Sequence, residues 1–349
     1  MKPLAFEVVP YALPFRDPYV TARGSLARRE MALLRLRDAD GVEGLGEAVP
    51  LSLRGGVGLR RVVEELRRAG EAGADEEAAR RLSPPARCAL TTALRDLRAR
   101  RRGEPFLAPE GAGPAAPVRC NATLSAGEPA AVADEARRLA ERGFGTFKLK
   151  LGTGDDLAVV AAVREAVGPE ARIRVDANEA WDVETAIATL RELQPLDVEL
   201  AEQPVAGLEA MARVAAAVAV PLAADESVVT PRQAARAAEL GACRYTGVKL
   251  AKVGGPEAAL EVAAELPAFV TSALDGPVGI AAAAHVARRL DAAGGPGLAH
   301  GLATQSLFAA DVAAVGCELR GDRLLPPPGP GLGVEIDPEA LRAHRLDVD

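Results

Sequence analysis

The chain has 349 residues, 49% hydrophobic and 26% charged, a globular balance with enough apolar material for a barrel-sized core and a smaller companion. A net charge of −7 with no basic stripe excludes a landing surface for phosphates, so no nucleic-acid partner is expected. No run of about 18 apolar residues is present to span a membrane, Pro3, Glu7 and Pro10 interrupt any leader-like apolar run, and the scattered Cys88, Cys120, Cys243 and Cys317 form no CxxC pair, so a cytoplasmic protein without disulfides is expected.

In chain order, residues 4–10, 31–37 and 42–48 read as strands, the last two joined by a turn at Asp38-Ala39-Asp40-Gly41. Two helices follow. Residues 57–72 carry Leu59, Val62, Val63 and Leu66 at helical spacing, and residues 84–101 begin at Pro84-Pro85 with Leu90, Leu94 and Leu97 on one face. Residues 103–117, rich in Gly, Ala and Pro, mark a domain boundary. The expected layout is an α+β capping domain over 1–115, a barrel over 116–317, and a segment over 318–349 that returns to the cap.

Beyond the boundary, short apolar runs at 118–124, 146–151, 173–177, 198–201, 222–224, 245–250, 269–272 and 298–302 alternate with Ala-rich amphipathic stretches. This rhythm predicts an α/β fold, a TIM-like (β/α)7β barrel, rather than a doubly wound sheet, because no GxGxxG turn follows the first run.

Barrel chemistry sits at the C-terminal ends of strands. The second run ends Lys148-Leu149-Lys150, whose i, i+2 spacing puts both ammonium groups on one face. Facing inward, they would repel and be desolvated, which lowers at least one pKa and makes an amine available as a base. Lysine is scarce here: only five of the 42 Lys and Arg residues are Lys, and four of them lie in two short clusters. Arginine cannot be deprotonated in a working enzyme, so the retained lysines point to proton transfer.

Asp176 with Asn178, Glu202, and the pair Asp225-Glu226 end the third, fourth and fifth runs. Carboxylates on three consecutive strand ends suit a hard divalent cation, Mg²⁺ with Mn²⁺ as an alternative. Spacing alone does not choose between Asp225 and Glu226. The sixth run ends with Lys249, and Lys252 follows in the turn, across the barrel from Lys150. With three histidines in the chain, a histidine zinc cluster is not expected.

The order Lys-x-Lys, Asp-x-Asn, Glu, Asp, Lys resembles the enolase superfamily in its muconate-lactonizing-enzyme-like branch, over essentially the whole chain. The resemblance implies Asp176, Glu202 and Asp225 as metal ligands, Lys150 and Lys249 as acid/base residues, and Lys148, Asn178 and Glu226 in support. It also implies that residues 44–47, 16–24 and 51–58 belong to cap regions that close over a small carboxylate substrate, with Ser272, Gly301 and Arg16 as substrate contacts.

In its Gly145-Thr146-Phe147-Lys148-Leu149-Lys150 stretch and Lys-poor texture the chain resembles the actinobacterial o-succinylbenzoate synthase family. That implies proton abstraction and dehydration of a succinyl-hydroxycyclohexadiene carboxylate in menaquinone biosynthesis. N-succinylamino-acid racemases and dipeptide epimerases share the same catalytic positions, although dipeptide epimerases and cycloisomerases carry an acid in the eighth strand where this chain reads His300-Gly301-Leu302. A metal-independent Schiff-base aldolase using Lys249 is the alternative of a different class. The oligomeric state is left open by the residues.

Overall fold

The computed structural model describes residues 5–21, 24–50, 56–107, 116–152 and 154–348. Its cap is an antiparallel sheet in the order β1 (Ala5–Thr21), β2 (Gly24–Arg37), β3 (Glu43–Ala48). The first strand runs well past the expected residue 10. Pro10, Pro14 and Pro18 break a strand pattern read from sequence, but β1 lies on the sheet edge, where a missing N–H costs no ladder bond, and its register shifts between Pro14 and Tyr19. The hairpin from β2 to β3 is tied by Asp38, whose Oδ1 accepts from Asp40 N at 2.8 Å and Val42 N at 3.0 Å.

Helices α1 (Leu59–Glu71), the short α2 (Glu76–Arg80), and α3 (Pro84–Arg102) cover one face of this sheet. They bury Leu34, Leu36, Val62, Leu66, Leu90 and Leu97 in a core separate from that of the barrel. A β-carbon at Gly44 would fall 2.3 Å from Ala93 O, and one at Gly46 would fall 1.9 Å from Ala89 O. The two glycines therefore let the backbone of α3 rest directly on β3. Residues 44–47 thus belong to a buried edge strand of the cap sheet, packed beneath α3. Residues 22–23 and 51–55, within the other expected covering regions, and residues 108–115 at the expected boundary lie outside the described residues.

The barrel runs β4 (Val118–Arg119), β5 (Ala122–Leu124), α4 (Pro129–Glu141), β6 (Thr146–Lys150), α5 (Asp156–Val167), β7 (Arg172–Asp176), α6 (Val183–Leu193), β8 (Val198–Glu202), α7 (Leu208–Ala215), β9 (Leu222–Ala224), α8 (Pro231–Leu240), β10 (Tyr245–Val248), α9 (Leu250–Val253), α10 (Pro256–Glu265), β11 (Ala268–Val270) and α11 (Pro277–Ala292). Strands β5 to β11 form one parallel sheet in sequence order. The eighth position, residues 298–302, is too irregular to be a strand. It closes the barrel through bridges Cys120↔His300 and Thr271↔Gly301. This is the expected TIM-like architecture with a cap.

Inward positions alternate by the strand period of two. On β7 the lower of these is Arg174, fully buried. It donates to Ala299 O at 2.6 Å, pairs with Glu199, and lies 5.2 Å from the centre of the Phe269 ring. Asp176 is the next inward residue above it.

The C-terminal part touches both domains. β13 (Glu318–Arg320) and β14 (Arg323–Leu325) form a hairpin on β4, while β15 (Glu335–Ile336) pairs with β12 (Ala313–Val315) before α12 (Pro338–Ala343). Asp96 of α3 anchors the passage between them. Its carboxylate accepts from Leu45 N at 2.8 Å, Leu332 N at 2.7 Å and Arg100 Nε at 2.9 Å. The chain then lies along β1, with Ala12 N donating to His344 O and Leu346 N to Pro10 O, each at 2.9 Å.

Candidate active site

Parallel register brings the charged residues to one level. Lys150 is aligned with Asp176, and Asp176 with Glu202. Asp225 follows the last residue of β9, and Lys249 caps α9 just beyond the end of β10, one step later than the strand run suggested. All of these side chains sit at the C-terminal mouth of the barrel.

Lys150 Nζ donates to Asp176 Oδ2 at 2.6 Å and to Asn178 Oδ1 at 2.8 Å. Asn178 Nδ2 in turn donates to Glu226 Oε1 at 3.2 Å. Asn178 is thus a strut between Lys150 and Glu226, and it adopts φ 48°, a left-handed conformation that asparagine tolerates better than most residues. On the other side Lys249 pairs with Asp225, and Lys252 reaches Asp225 Oδ1 at 2.9 Å.

Lys148 is buried between Asp176 Oδ2 at 2.7 Å and Glu202 Oε2 at 2.6 Å. Burial works against its ammonium, but the two carboxylates outweigh it and hold the group charged well above the ordinary lysine range. Lys148 is therefore not the lysine whose pKa was expected to fall. Asp176 shows the complement: burial opposes its charge, while Lys148 and Lys150 prevail and hold it well below the usual carboxylate range.

Among the described residues no group of three or more His, Cys, Asp or Glu side chains is gathered tightly enough to hold a metal ion. Lys148 bridges Asp176 and Glu202 there, while Lys249 and Lys252 pair with Asp225. The donor set nevertheless suits a hard cation. It is all oxygen, it lies on adjacent strand ends, and Glu202 Oε1 is buried with no hydrogen-bond partner.

Gln203, which no sequence pattern singled out, organises the mouth. Fully buried and at φ 39°, its Oε1 accepts from Asp225 N at 2.9 Å and Ser227 N at 3.1 Å. Its Nε2 donates to Val205 O at 2.9 Å and Ser227 Oγ at 2.7 Å. Every capacity of the amide is used to fix the loop that carries Asp225. Asp225 and Ser227 lie more than 20 residues away, which hides the role from any local pattern.

The residues expected to touch substrate are spread out. Ser272 Oγ bonds Asp275 Oδ2 at 2.7 Å, in a loop where Leu274 takes φ 64°. Gly301 faces the barrel interior beside Thr271. Arg16 is exposed and donates through Nε to Ser306 O at 3.2 Å, in the turn after the eighth position.

A second buried polar cluster, unseen in the sequence, joins cap and barrel. Glu47 of β3 accepts from Tyr11 Oη at 2.8 Å and from Gly276 N at 2.7 Å, at the start of α11. Arg29 of β2 donates to Pro50 O at 2.7 Å and Ala273 O at 3.1 Å. Burial, then the charge of Asp275, pushes the Glu47 carboxyl up to about 8. The folded state thus holds this proton more tightly than the unfolded chain, so stability falls as pH rises from about 4.5 towards 8 and levels off above it. Glu47→Gln is expected to flatten that decline, by up to ~5 kcal/mol across the window. Urea unfolding of both proteins at pH 5 and 8 measures it, and equal slopes would rule out a protonated Glu47.

A family model described as Enolase C-terminal domain-like matches residues 131–340. The o-succinylbenzoate synthase of Thermobifida fusca is 37% identical over 67% of this chain and 73% of its own. The structure of a muconate lactonizing enzyme from Pseudomonas fluorescens, complexed with muconolactone, superposes with a TM-score of 0.88 at 30% identity, covering 98% of each chain. A dipeptide epimerase from Enterococcus faecalis, complexed with Mg and the dipeptide L-Leu-L-Tyr, gives 0.87 at 27% identity, covering 96% of this chain and 100% of that one. With the fold and the strand-end constellation in agreement, this chain belongs to the enolase superfamily, in its muconate-lactonizing-enzyme-like branch.

Proposed function

We propose that the chain moves the α-proton of a small N-acylated amino acid or dipeptide between the two faces of its α-carbon, as a racemase or epimerase. The observation that supports this reading is the placement of Lys150 and Lys249 on opposite sides of the barrel mouth, each paired with a carboxylate. Two such amines serve a two-base transfer: one removes the proton from its face and the other returns one from the opposite face. Asp176, Glu202 and Asp225 would hold a divalent cation, Mg²⁺ in the first instance. When bound, it supplies positive charge to the substrate carboxylate as negative charge develops beside it.

In this reading Asn178 and Glu226 orient Lys150, and Lys148 bridges Asp176 and Glu202. Residues 116–317 form the catalytic barrel, and residues 1–115 with 318–349 form the cap.

The dehydration that yields 2-succinylbenzoate is the second reading. It is favoured by the Thermobifida fusca relative and by the missing carboxylate at residues 300–302. It needs one base on one face, with the other lysine acting as a fixed charge.

Incubation in D₂O with N-succinylamino acids, dipeptides and the cyclohexadiene carboxylate, followed by mass spectrometry, tests both. Deuterium entering the α-carbon with inversion is expected, and dehydration without exchange would displace the first reading in favour of the second. Excess EDTA is expected to reduce turnover to background, with recovery on adding Mg²⁺. Full activity in EDTA together with borohydride trapping of a carbonyl substrate on Lys249 would instead establish Schiff-base chemistry.

A further inference from the structure

Lys150 and Lys249 are held by different means. Lys150 is the last residue of β6, in register with Asp176, and its ammonium is fixed within the barrel by Asp176 and Asn178. Lys249 lies one residue beyond β10, whose last ladder pair is Val248 with Val270. From there the backbone winds into the single turn of α9. Lys249 O accepts from Lys252 N at 2.9 Å and Val253 N at 3.1 Å, and Leu250 O accepts from Gly254 N at 2.9 Å and Gly255 N at 3.0 Å. One helical turn is too short to hold its own shape, so its position is set by what it rests on.

It rests on the cap helix α3. Arg87, Thr91 and Arg95 recur at intervals of four, share one face of that helix, and follow the chain from Gly254 to Glu257. A β-carbon on Gly254 would fall 2.7 Å from Arg87 Nη2 and 2.8 Å from Arg87 Cζ, and one on Gly255 would collide with Thr91 Oγ1. Arg95 continues the stripe, donating through Nε to Glu257 Oε1 at 2.6 Å. The two glycines take φ 97° and 127°. Both the bend and the close approach of the cap therefore call for residues without a side chain.

The cap side of this contact is itself ordered. Thr91 Oγ1 donates to Arg87 O at 2.9 Å, which holds the hydroxyl along its own helix. Arg87 Nε is buried with no hydrogen-bond partner among the described residues, so what this atom contributes at Gly254 is packing.

We propose that Arg87, with Thr91, is a positioning residue that seats the Lys249 turn from the cap, so that proton transfer at the Lys249 face depends on the cap and transfer at the Lys150 face does not. This rests on the racemase or epimerase reading above. Lys249 opens the turn that Arg87 and Thr91 support, whereas Lys150 is carried by a strand ladder. Asp225, which both Lys249 and Lys252 meet, is fixed separately through Gln203. A shift of the turn thus moves one base and leaves the other in place. Misplacing a reacting group by about 1 Å costs up to ~10²-fold in rate.

The test uses the full chain at saturating Mg²⁺ in D₂O, with the two enantiomers of N-succinylphenylalanine and the two C-terminal epimers of alanylphenylalanine. Lys249→Ala identifies the form whose α-proton faces Lys249, as the one whose exchange it abolishes. Arg87→Ala is expected to lower kcat for exchange of that form by about tenfold or more and to leave the other within about twofold of wild type. Arg87→Lys, which keeps the stem and the charge, is expected to show the same bias to a smaller degree.

A merely structural role would slow both forms together. That result, or an Arg87→Ala that slows neither, overturns the inference and leaves the racemase or epimerase reading standing. If Arg87→Ala fails to fold, Arg87→Lys and Thr91→Ala carry the same comparison, and equal rates for the two forms overturn the inference there too. A wild type that exchanges the α-proton from one face only, or from neither, overturns the racemase or epimerase reading and the inference with it.

Discussion

Lys150→Ala and Lys249→Ala, each assayed with Mg²⁺, are expected to lower overall racemisation by roughly 10²–10⁴-fold, the usual worth of a positioned acid or base. Their partial reactions should differ. With Lys150 gone, exchange of the α-proton persists from the enantiomer whose proton faces Lys249, and the reverse holds for the other variant. Lys150 ends β6 and Lys249 follows β10 on the opposite side of the barrel, each paired with its own carboxylate, so in the proposed mechanism each serves one face. Stereospecific exchange followed by NMR in D₂O reads this directly. Near-normal racemisation by either variant would remove that lysine from the mechanism. Loss of both exchange reactions in one variant, with dehydratase activity in the wild type, would mark a single base and favour aromatisation.

Asp96→Ala should be the most damaging change outside the barrel mouth. The carboxylate is fully buried and takes hydrogen bonds from β3, from its own helix and from Leu332 in the returning segment. Burial raises its pKa, and Arg100 with the backbone donors Leu332 and Leu45 offsets part of that rise. Truncation leaves two buried N–H groups without an acceptor and Arg100 without its counter-charge, a loss of about 3–5 kcal/mol. Asp96→Asn, which keeps one acceptor oxygen, should fall between wild type and Asp96→Ala. Urea unfolding gives the values, and a loss below about 1 kcal/mol for Asp96→Ala would show that the returning segment is held by its other contacts.

The barrel and its charged mouth were legible because they repeat. Apolar runs at regular spacing set the strands, and an acid or lysine at the end of each run needs only the rule that strand ends converge. Lys150, Asp176 and Glu202 fall into register for that reason. The features that were not legible depend on partners distant in sequence. Gln203 acts on residues more than 20 positions later, Glu47 on Gly276, and Asp96 on Leu332. None carries a local signature, since a buried polar residue is recognisable only once its partner is in place. The eighth position illustrates the opposite error. The residues 298–302 have a strand's composition, but closure of the barrel there relies on two bridges and the side chain of His300, whose Nδ1 accepts from Val270 N at 2.9 Å. Likewise the strand expected over residues 4–10 continues to Thr21, because its prolines lie on the sheet edge.

The pairing of residues 344–346 with β1 has a consequence for the order of synthesis. β1 leaves the ribosome before the barrel strands, and its backbone partners near residue 345 leave after them. While the barrel strands emerge, the groups of Pro10 and Ala12 that later bind this segment have only water or a competing chain to meet. An unpaired strand edge in a nascent chain is open to wrong associations. A delay in translating residues 344–346 would therefore expose the cap, rather than the barrel, to mispairing.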